Sequence, residues 1–153
     1  MATRGLEMLD HTVQLTHEWI DQLDDELGWD DQHRTFRLLR AVLQTLRDCL
    51  PVNESADFAA QLPTLLRGVY YEHWQPGKAK IHHWTMDDFL QRLHAFFPDD
   101  PIEDMADTAS AVFAFLTEKV SGGEINDVVG CLPKQVQELW PATAPRGVPS
   151  SKL

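Results

Sequence analysis

The chain matches itself at a constant offset of seventy residues, and no gap is needed to keep the two copies aligned. Apolar character is kept at many positions where the residues are not identical. A self-match with a fixed period indicates a duplicated structural unit. The sequence therefore predicts two tandem units with the same order of elements. The identical pairs include Leu23 and Leu93, Asp30 and Asp100, Ala41 and Ala111, Val42 and Val112, Leu46 and Leu116, Glu54 and Glu124, Asp57 and Asp127, and Leu62-Pro63 and Leu132-Pro133.

The apolar spacing within each unit predicts about four helices, two long and two short. In the first unit, Gly28 and Pro51 are the stop signals, and the predicted helices begin at Thr12, after Asp31, at Asn53 and at Pro63. In the second unit, Thr85 and Asp88 form a capping-box pattern, Asp100-Pro101 predicts a helix start and Gly122-Gly123 predicts a helix end. No segment shows the sustained period-two alternation of a strand.

These patterns predict an all-α helical bundle that forms a single domain over residues 1–140. Repeat one covers 12–74, a linker covers 73–84, and repeat two covers 85–140. Residues 141–153 are poor in bulky apolar side chains, which predicts a disordered tail. The tail ends in Ser151-Lys152-Leu153, the tripeptide that a peroxisomal receptor reads, although so short a match is also expected by chance.

The formal net charge of -11 limits the classes of partner. Binding to nucleic acid requires clustered Lys and Arg, and an anionic membrane surface repels a protein of this charge, so we expect neither. The same charge favours a basic protein partner. Only two cysteines occur, Cys49 and Cys131, and they do not occupy equivalent repeat positions. This usage is typical of a reduced, cytoplasmic protein, and both side chains fall on apolar stripes.

Two segments resemble the bacterial family called domain of unknown function 2267. They are Leu62–Pro76 with Asp88-Phe89-Leu90, and Gly123–Val128 leading into Leu132–Trp140. The resemblance covers about residues 12–141. It implies an all-helical bacterial protein with a globin-like helix arrangement, and it implies no reaction, cofactor or site residue. Family members usually carry Gly immediately before Trp74, where this chain has His73.

The histidines are the candidate ligands for a metal or a haem. His73, His82 and His83 lie near one another in the linker, but their spacing matches no ligand signature, so a solvated linker is the simpler interpretation. A haem would need an axial His in an apolar pocket. The helical candidates pair at the repeat offset with acidic residues typical of exposed faces: His17 with Asp87, His33 with Glu103, and His94 with Asp24. We therefore predict no cofactor and no metal.

The repeated carboxylates are the more informative polar residues. Glu54 and Asp57 begin the third predicted helix of repeat one, and Glu124 and Asp127 do so in repeat two. They either provide favourable electrostatics at helix starts or form two symmetric acidic patches that meet a partner. The run Asp24-Asp25-Glu26 lies against a helix dipole and is either a solvated face or a partner-binding face.

No catalytic constellation is evident, so no catalytic residue is predicted and an enzyme is the less favoured class. The sequence favours a non-catalytic interaction or structural module, self-associating or bound to another protein. The alternative is a small-molecule or cofactor binder with a pocket between the two repeats. Exposed tryptophans at Trp29, Trp74 and Trp84 would serve as anchors in the first case, or else close the seam between the units.

Overall fold

A computed structural model describes residues 6–77 and 84–141 of the chain, and all statements about structure concern these residues. They form eight α-helices and no strand, so the predicted all-α fold is confirmed. The helices are α1 (Glu7–Leu27), α2 (Gln32–Cys49), α3 (Val52–Ala59), α4 (Thr64–Tyr71), α5 (Met86–His94), α6 (Met105–Lys119), α7 (Gly122–Cys131) and α8 (Lys134–Gln137).

The core is built around α2 and α6. α2 packs against α1, α4, α5 and α6, and α6 also packs against α1 and α5. The apolar stripe predicted on each of these two helices is fully buried, because it faces neighbours on several sides. Leu46 and Leu116, which occupy equivalent positions at the offset of seventy, both have 0% exposure. The rest of the two predicted stripes is also buried: Thr35, Leu39, Val42, Cys49, Ala109, Val112, Phe113 and Val120.

The first helix begins earlier than the sequence predicted. α1 starts at Glu7 rather than at Thr12. Its first turns were missed because their apolar side chains, Leu6, Met8 and Leu9, are exposed and do not continue the core-facing stripe. The predicted stop is confirmed, since Gly28 ends α1 in the left-handed region with φ of 69°.

Three predicted helix boundaries are wrong. Asn53 lies inside α3, which follows Pro51 directly. Asp100 does not start α6; its carboxylate forms an ion pair with Arg34 at 2.8 Å, and Asp104 caps α6 instead. Gly122-Gly123 opens α7 after Ser121 accepts a hydrogen bond from Glu124 N–H, so these glycines do not end α6. The capping box of Thr85 and Asp88 is confirmed.

The helices fall into the same order on either side of residues 72–85. α3 begins at Val52 and α7 at Gly122, seventy residues later; α4 begins at Thr64 and α8 at Lys134, again seventy residues later. The first helices differ in length. α5 begins at Met86, seventy residues after Thr16, whereas α1 begins nine residues before Thr16. The duplication itself stays a prediction from the sequence, as does the globin-like arrangement.

His73 has a backbone conformation that favours glycine. Its φ is 65°, in the left-handed region where a Cβ is disfavoured. This is the position at which the resembled family usually carries Gly. The side chain is exposed, so it gains little from packing that would offset the backbone strain.

We expect His73→Gly to raise the free energy of unfolding by about 0.5–1 kcal/mol, because relief of the left-handed strain exceeds the entropy lost by glycine. Chemical denaturation of both proteins measures the difference. His94→Gly is the control: His94 is also exposed but ends α5 without a positive φ, so that variant should lose stability by up to about 1 kcal/mol. A loss of stability in His73→Gly would show that the backbone at residue 73 is not strained.

Candidate functional site

The acidic residues at equivalent repeat positions meet in one cluster. α3 packs against α7, and this contact brings the first turns of the two helices together. One carboxylate oxygen from each of Glu54, Asp57 and Glu124 lies within 4.8 Å of the others. Asp127 lies one turn after Glu124 and adds to the negative potential at that residue. We call these four residues the acidic cluster.

Burial and nearby carboxylates change the titration of Glu124. Its pKa is raised to about 8, first by burial, then by its hydrogen bond with Glu54, and then by the charges of Glu54, Asp57 and Asp127. The Oε2 atoms of Glu54 and Glu124 are buried and accept no hydrogen bond from another residue. Because its pKa is near 8, Glu124 keeps its proton at neutral pH, and a protonated carboxyl is able to donate to Glu54.

Glu54 and Glu124 lie in the first turns of α3 and α7, as the sequence predicted. Packing of α3 on α7 merges the two pairs into one cluster, so they do not form two separate patches. Carboxylate oxygens at this separation are the ligands that a hard divalent cation takes, so Glu54, Asp57 and Glu124 are the described residues best placed to hold one. Exposed acidic groups also occur without an ion.

The stability of the fold should depend on pH through Glu124. In the unfolded chain this carboxyl loses its proton near its ordinary value of 4.5, whereas in the folded chain it keeps the proton up to about 8. Between these values the folded state binds more protons, so the free energy of unfolding falls as pH rises. Thermal unfolding measured from pH 5 to pH 8.5 tests this expectation.

Glu124→Gln should be more stable than the parent protein at pH 8 and nearly equal to it at pH 5, since the amide cannot ionise and donates to Glu54. Glu138→Gln is the matched control, because Glu138 is exposed and its substitution should not change the pH profile. A pH profile of the parent that Glu124→Gln leaves unchanged would contradict the raised pKa of Glu124.

A second feature is an apolar groove between α1, α2 and α4. It encloses a volume of about 280 Å³, and its accessible surface is mostly apolar. Ile20 and Phe36 provide its largest apolar walls, and Leu65 lies at its edge. The backbone N–H of Leu65 donates to Thr12 Oγ1 at 2.9 Å and ties the start of α4 to α1. The full lining is Val13, Thr16, His17, Ile20, Gln32, His33, Phe36 and Leu65.

Exposed apolar side chains extend the groove along α1. Leu6, Leu9, Val13 and Leu65 are 41%, 49%, 43% and 37% exposed, respectively. On a helix, residues three or four apart share a face, so Leu6, Leu9, Val13 and Ile20 follow one stripe that leads into the groove. We call the groove and these residues the α1 surface. Contiguous apolar surface of this kind is typical of an interaction site.

Among the described residues, the positions seventy residues later do not form such a surface. Leu65 corresponds to Gln135, whose side-chain oxygen accepts a hydrogen bond from Met86 N–H at 2.9 Å. Phe36 corresponds to Ala106, and α5 begins only at Met86, which corresponds to Thr16.

The structure brings two of the predicted histidines together, because His17 and His33 both line the groove. His73 and His94 are exposed elsewhere. His82, His83 and Ser151-Lys152-Leu153 lie outside the described residues. The repeat comparison signalled that His17 and His33 are exposed, but it gave no sign that they border an apolar groove.

Asp24 is a structural residue rather than part of a solvated or partner-binding face. Its carboxylate is buried, and it accepts hydrogen bonds from Thr35 Oγ1 at 2.7 Å and from Asp31 N–H at 3.1 Å. These bonds fix the turn between α1 and α2.

The predicted tryptophan anchors are engaged with neighbouring side chains. The ring of Trp29 lies under the guanidinium of Arg34, whose Cζ atom is 4.3 Å from the ring centroid. Trp74 stacks on Tyr71 with centroids 5.1 Å apart, and Trp84 meets Phe89 edge-on. All three are half-buried, so they are less available than the leucines of the α1 surface.

The sequence of the chain matches a known protein family. Residues 16–139 match the family described as an uncharacterized conserved protein, DUF2267. The match covers most of the chain, and the chain therefore belongs to this family, as the resemblance of its two segments indicated. No curated protein is similar to it. Within the described residues, no helix is long and apolar enough to cross a membrane.

Proposed function

We propose that this protein is a non-catalytic interaction module of the bacterial cytoplasm, and that it binds another protein chain through the α1 surface. The observation that carries the proposal is the exposure of Leu6, Leu9, Val13 and Leu65 beside an apolar groove. Removal of these side chains from water on binding would provide a driving force of about 25 cal/mol per Å² of apolar area.

The chemistry of the described residues supports a non-catalytic role. Cys49 is buried, and burial raises the pKa of its thiol to about 12, so it is protonated and unreactive at neutral pH. Binding therefore accounts for these features better than catalysis.

A small-molecule binder is the second candidate. The groove, however, is lined entirely by residues of the first unit, and not by a seam between the two repeats as the sequence suggested. Its volume of about 280 Å³ lies just below the range of about 300–1,000 Å³ typical of ligand pockets. Native mass spectrometry of gently purified protein separates the candidates, because a bound small molecule adds a releasable mass.

Photo-crosslinking from a single position tests the proposed function directly. A photoreactive residue replaces Leu9, which is 49% exposed on the α1 surface, or Val52, which is 46% exposed on α3. We expect position 9 to give a defined cross-linked protein in cells and position 52 to give none. Equal products from both positions, or no protein product from position 9, would refute the proposal.

A further inference from the structure

The charges around the α1 surface specify the kind of partner that fits it. α1 contains no Lys or Arg, and its carboxylates are Glu7, Asp10, Glu18, Asp21, Asp24, Asp25 and Glu26. None of the residues lining the groove is Lys or Arg. Asp10 lies three residues before Val13 and Asp21 lies four residues after His17, so both flank the stripe on the same helix.

Two arginines near this surface in the chain are directed into other contacts. Arg34 is paired with Asp100 and lies over Trp29, and Arg67 donates to the carbonyls of Ala59, Ala60 and Leu62. Arg40 is half-buried over the ring of Phe36, 5.1 Å from its centroid, so it adds a positive charge on the α2 side of the groove. The α1 side has Asp10 and Asp21 but no Lys or Arg, so this side of the surface is negative.

We propose that the α1 surface receives an amphipathic helix whose apolar face fills the groove and whose flanks carry Lys and Arg. This inference rests on the proposed function and names its partner class. The stripe from Leu6 to Ile20 includes fourteen helical rises, or about 21 Å at 1.5 Å per rise, so it matches a partner helix of about four turns. Leucines spaced three and four apart on that helix would meet Val13, Leu65 and Phe36, as in other helix-in-groove complexes.

Charge complementarity selects this occupant over a second copy of the chain. A second copy brings its own formal charge of -11, and two α1 surfaces facing each other would oppose carboxylates to carboxylates. A basic helix instead gains attraction from Asp10 and Asp21, and also an association rate that falls as salt is added.

The test uses the full chain and two synthetic helical peptides of about 18 residues, a length at which an isolated helix becomes accessible. One peptide is made of Leu and Lys, and the other has the same Leu positions with Glu in place of Lys. Fluorescence anisotropy measures the affinity of each. We expect the Leu/Lys peptide to bind, and the Leu/Glu peptide to bind at least about tenfold more weakly, because like charges oppose it.

Variants locate the site. Val13→Gln and Leu65→Gln should each weaken binding of the Leu/Lys peptide by about tenfold or more, since each removes a buried apolar contact. Val52→Gln is the matched control, because Val52 lies on α3 and is about as exposed as Val13. This substitution should not change the affinity. Asp10→Asn with Asp21→Asn should weaken binding and reduce its salt dependence. Asp87→Asn with Asp99→Asn removes the same charge away from the groove and should have a smaller effect.

The outcomes separate the two proposals. Equal affinity for both peptides, or equal effects of Val13→Gln and Val52→Gln, would overturn the basic-helix inference and leave the cross-linking test of the module intact. If the parent chain had the mass of a dimer and Val13→Gln had the mass of a monomer, a second copy would be the occupant, which would overturn the inference. If a chain ending at residue 141 bound the peptide about tenfold more tightly, residues 142–153 would be the occupant, which overturns it as well.

Discussion

Leu46→Ala and Leu116→Ala should each lower the free energy of unfolding by about 2–5 kcal/mol, because each removes a fully buried side chain and leaves a cavity that the surrounding helices fill only in part. Leu46 lies in the last turn of α2 and Leu116 at the equivalent position of α6, and both have 0% exposure. Chemical denaturation of the two variants and the parent protein measures the loss.

The comparison of the two variants is as informative as either loss. α2 packs against four other helices, and α6 contacts α1, α2 and α5. Similar losses in both variants are therefore expected if the two long helices share the core equally. Leu65→Ala, on the exposed edge of the groove, is the control and should change stability by less than about 0.5 kcal/mol. A loss below about 1 kcal/mol in both core variants would contradict the central position of α2 and α6.

The periodic parts of the fold could be predicted from the sequence because their signals are local. A helix that buries one stripe repeats apolar residues every three or four positions, and α2 and α6 do so over their whole length. The wrong boundary at Asp100 has a long-range cause. Its carboxylate and the following carbonyl bind Arg34, sixty-six residues earlier, and no local pattern shows that an acidic residue before a proline has such a partner.

In the candidate sites, too, local signals could be predicted from the sequence and long-range contacts could not. The pairing of Glu54 with Glu124 was visible in the repeat, but their approach depends on α3 packing against α7, which the sequence does not specify. The α1 surface was missed for a different reason. Leu6 and Leu9 are exposed and lie off the core-facing stripe of α1, so the periodicity of core residues does not include them. A functional surface that breaks the core pattern is expected to be invisible to a core-based prediction.

Arg47 is the second residue whose substitution should have a large effect. It is 4% exposed, and its guanidinium donates to the carbonyls of Tyr70 and Glu72 at 2.9 and 2.7 Å and to Asp48 at 2.9 Å. Those carbonyls belong to the end of α4, where the last groups of a helix have no partner within it. The buried arginine therefore anchors α4, and with it the edge of the groove, to α2.

Arg47→Met should lower the free energy of unfolding by about 2–4 kcal/mol, because methionine replaces the aliphatic stem but the carbonyls of Tyr70 and Glu72 lose their donor, while Asp48 keeps only Arg92. Arg47→Lys should lose less, since an ammonium can still donate to one of the two carbonyls. Arg37→Met on the same helix is the control: Arg37 is exposed and rests on Phe97, so its removal should cost less than about 1 kcal/mol. Denaturation curves for the three variants measure these differences. Equal losses for Arg47→Met and Arg37→Met would show that the hydrogen bonds of Arg47 do not hold α4, and that the groove edge is fixed by Leu66 and Tyr70 in the core instead.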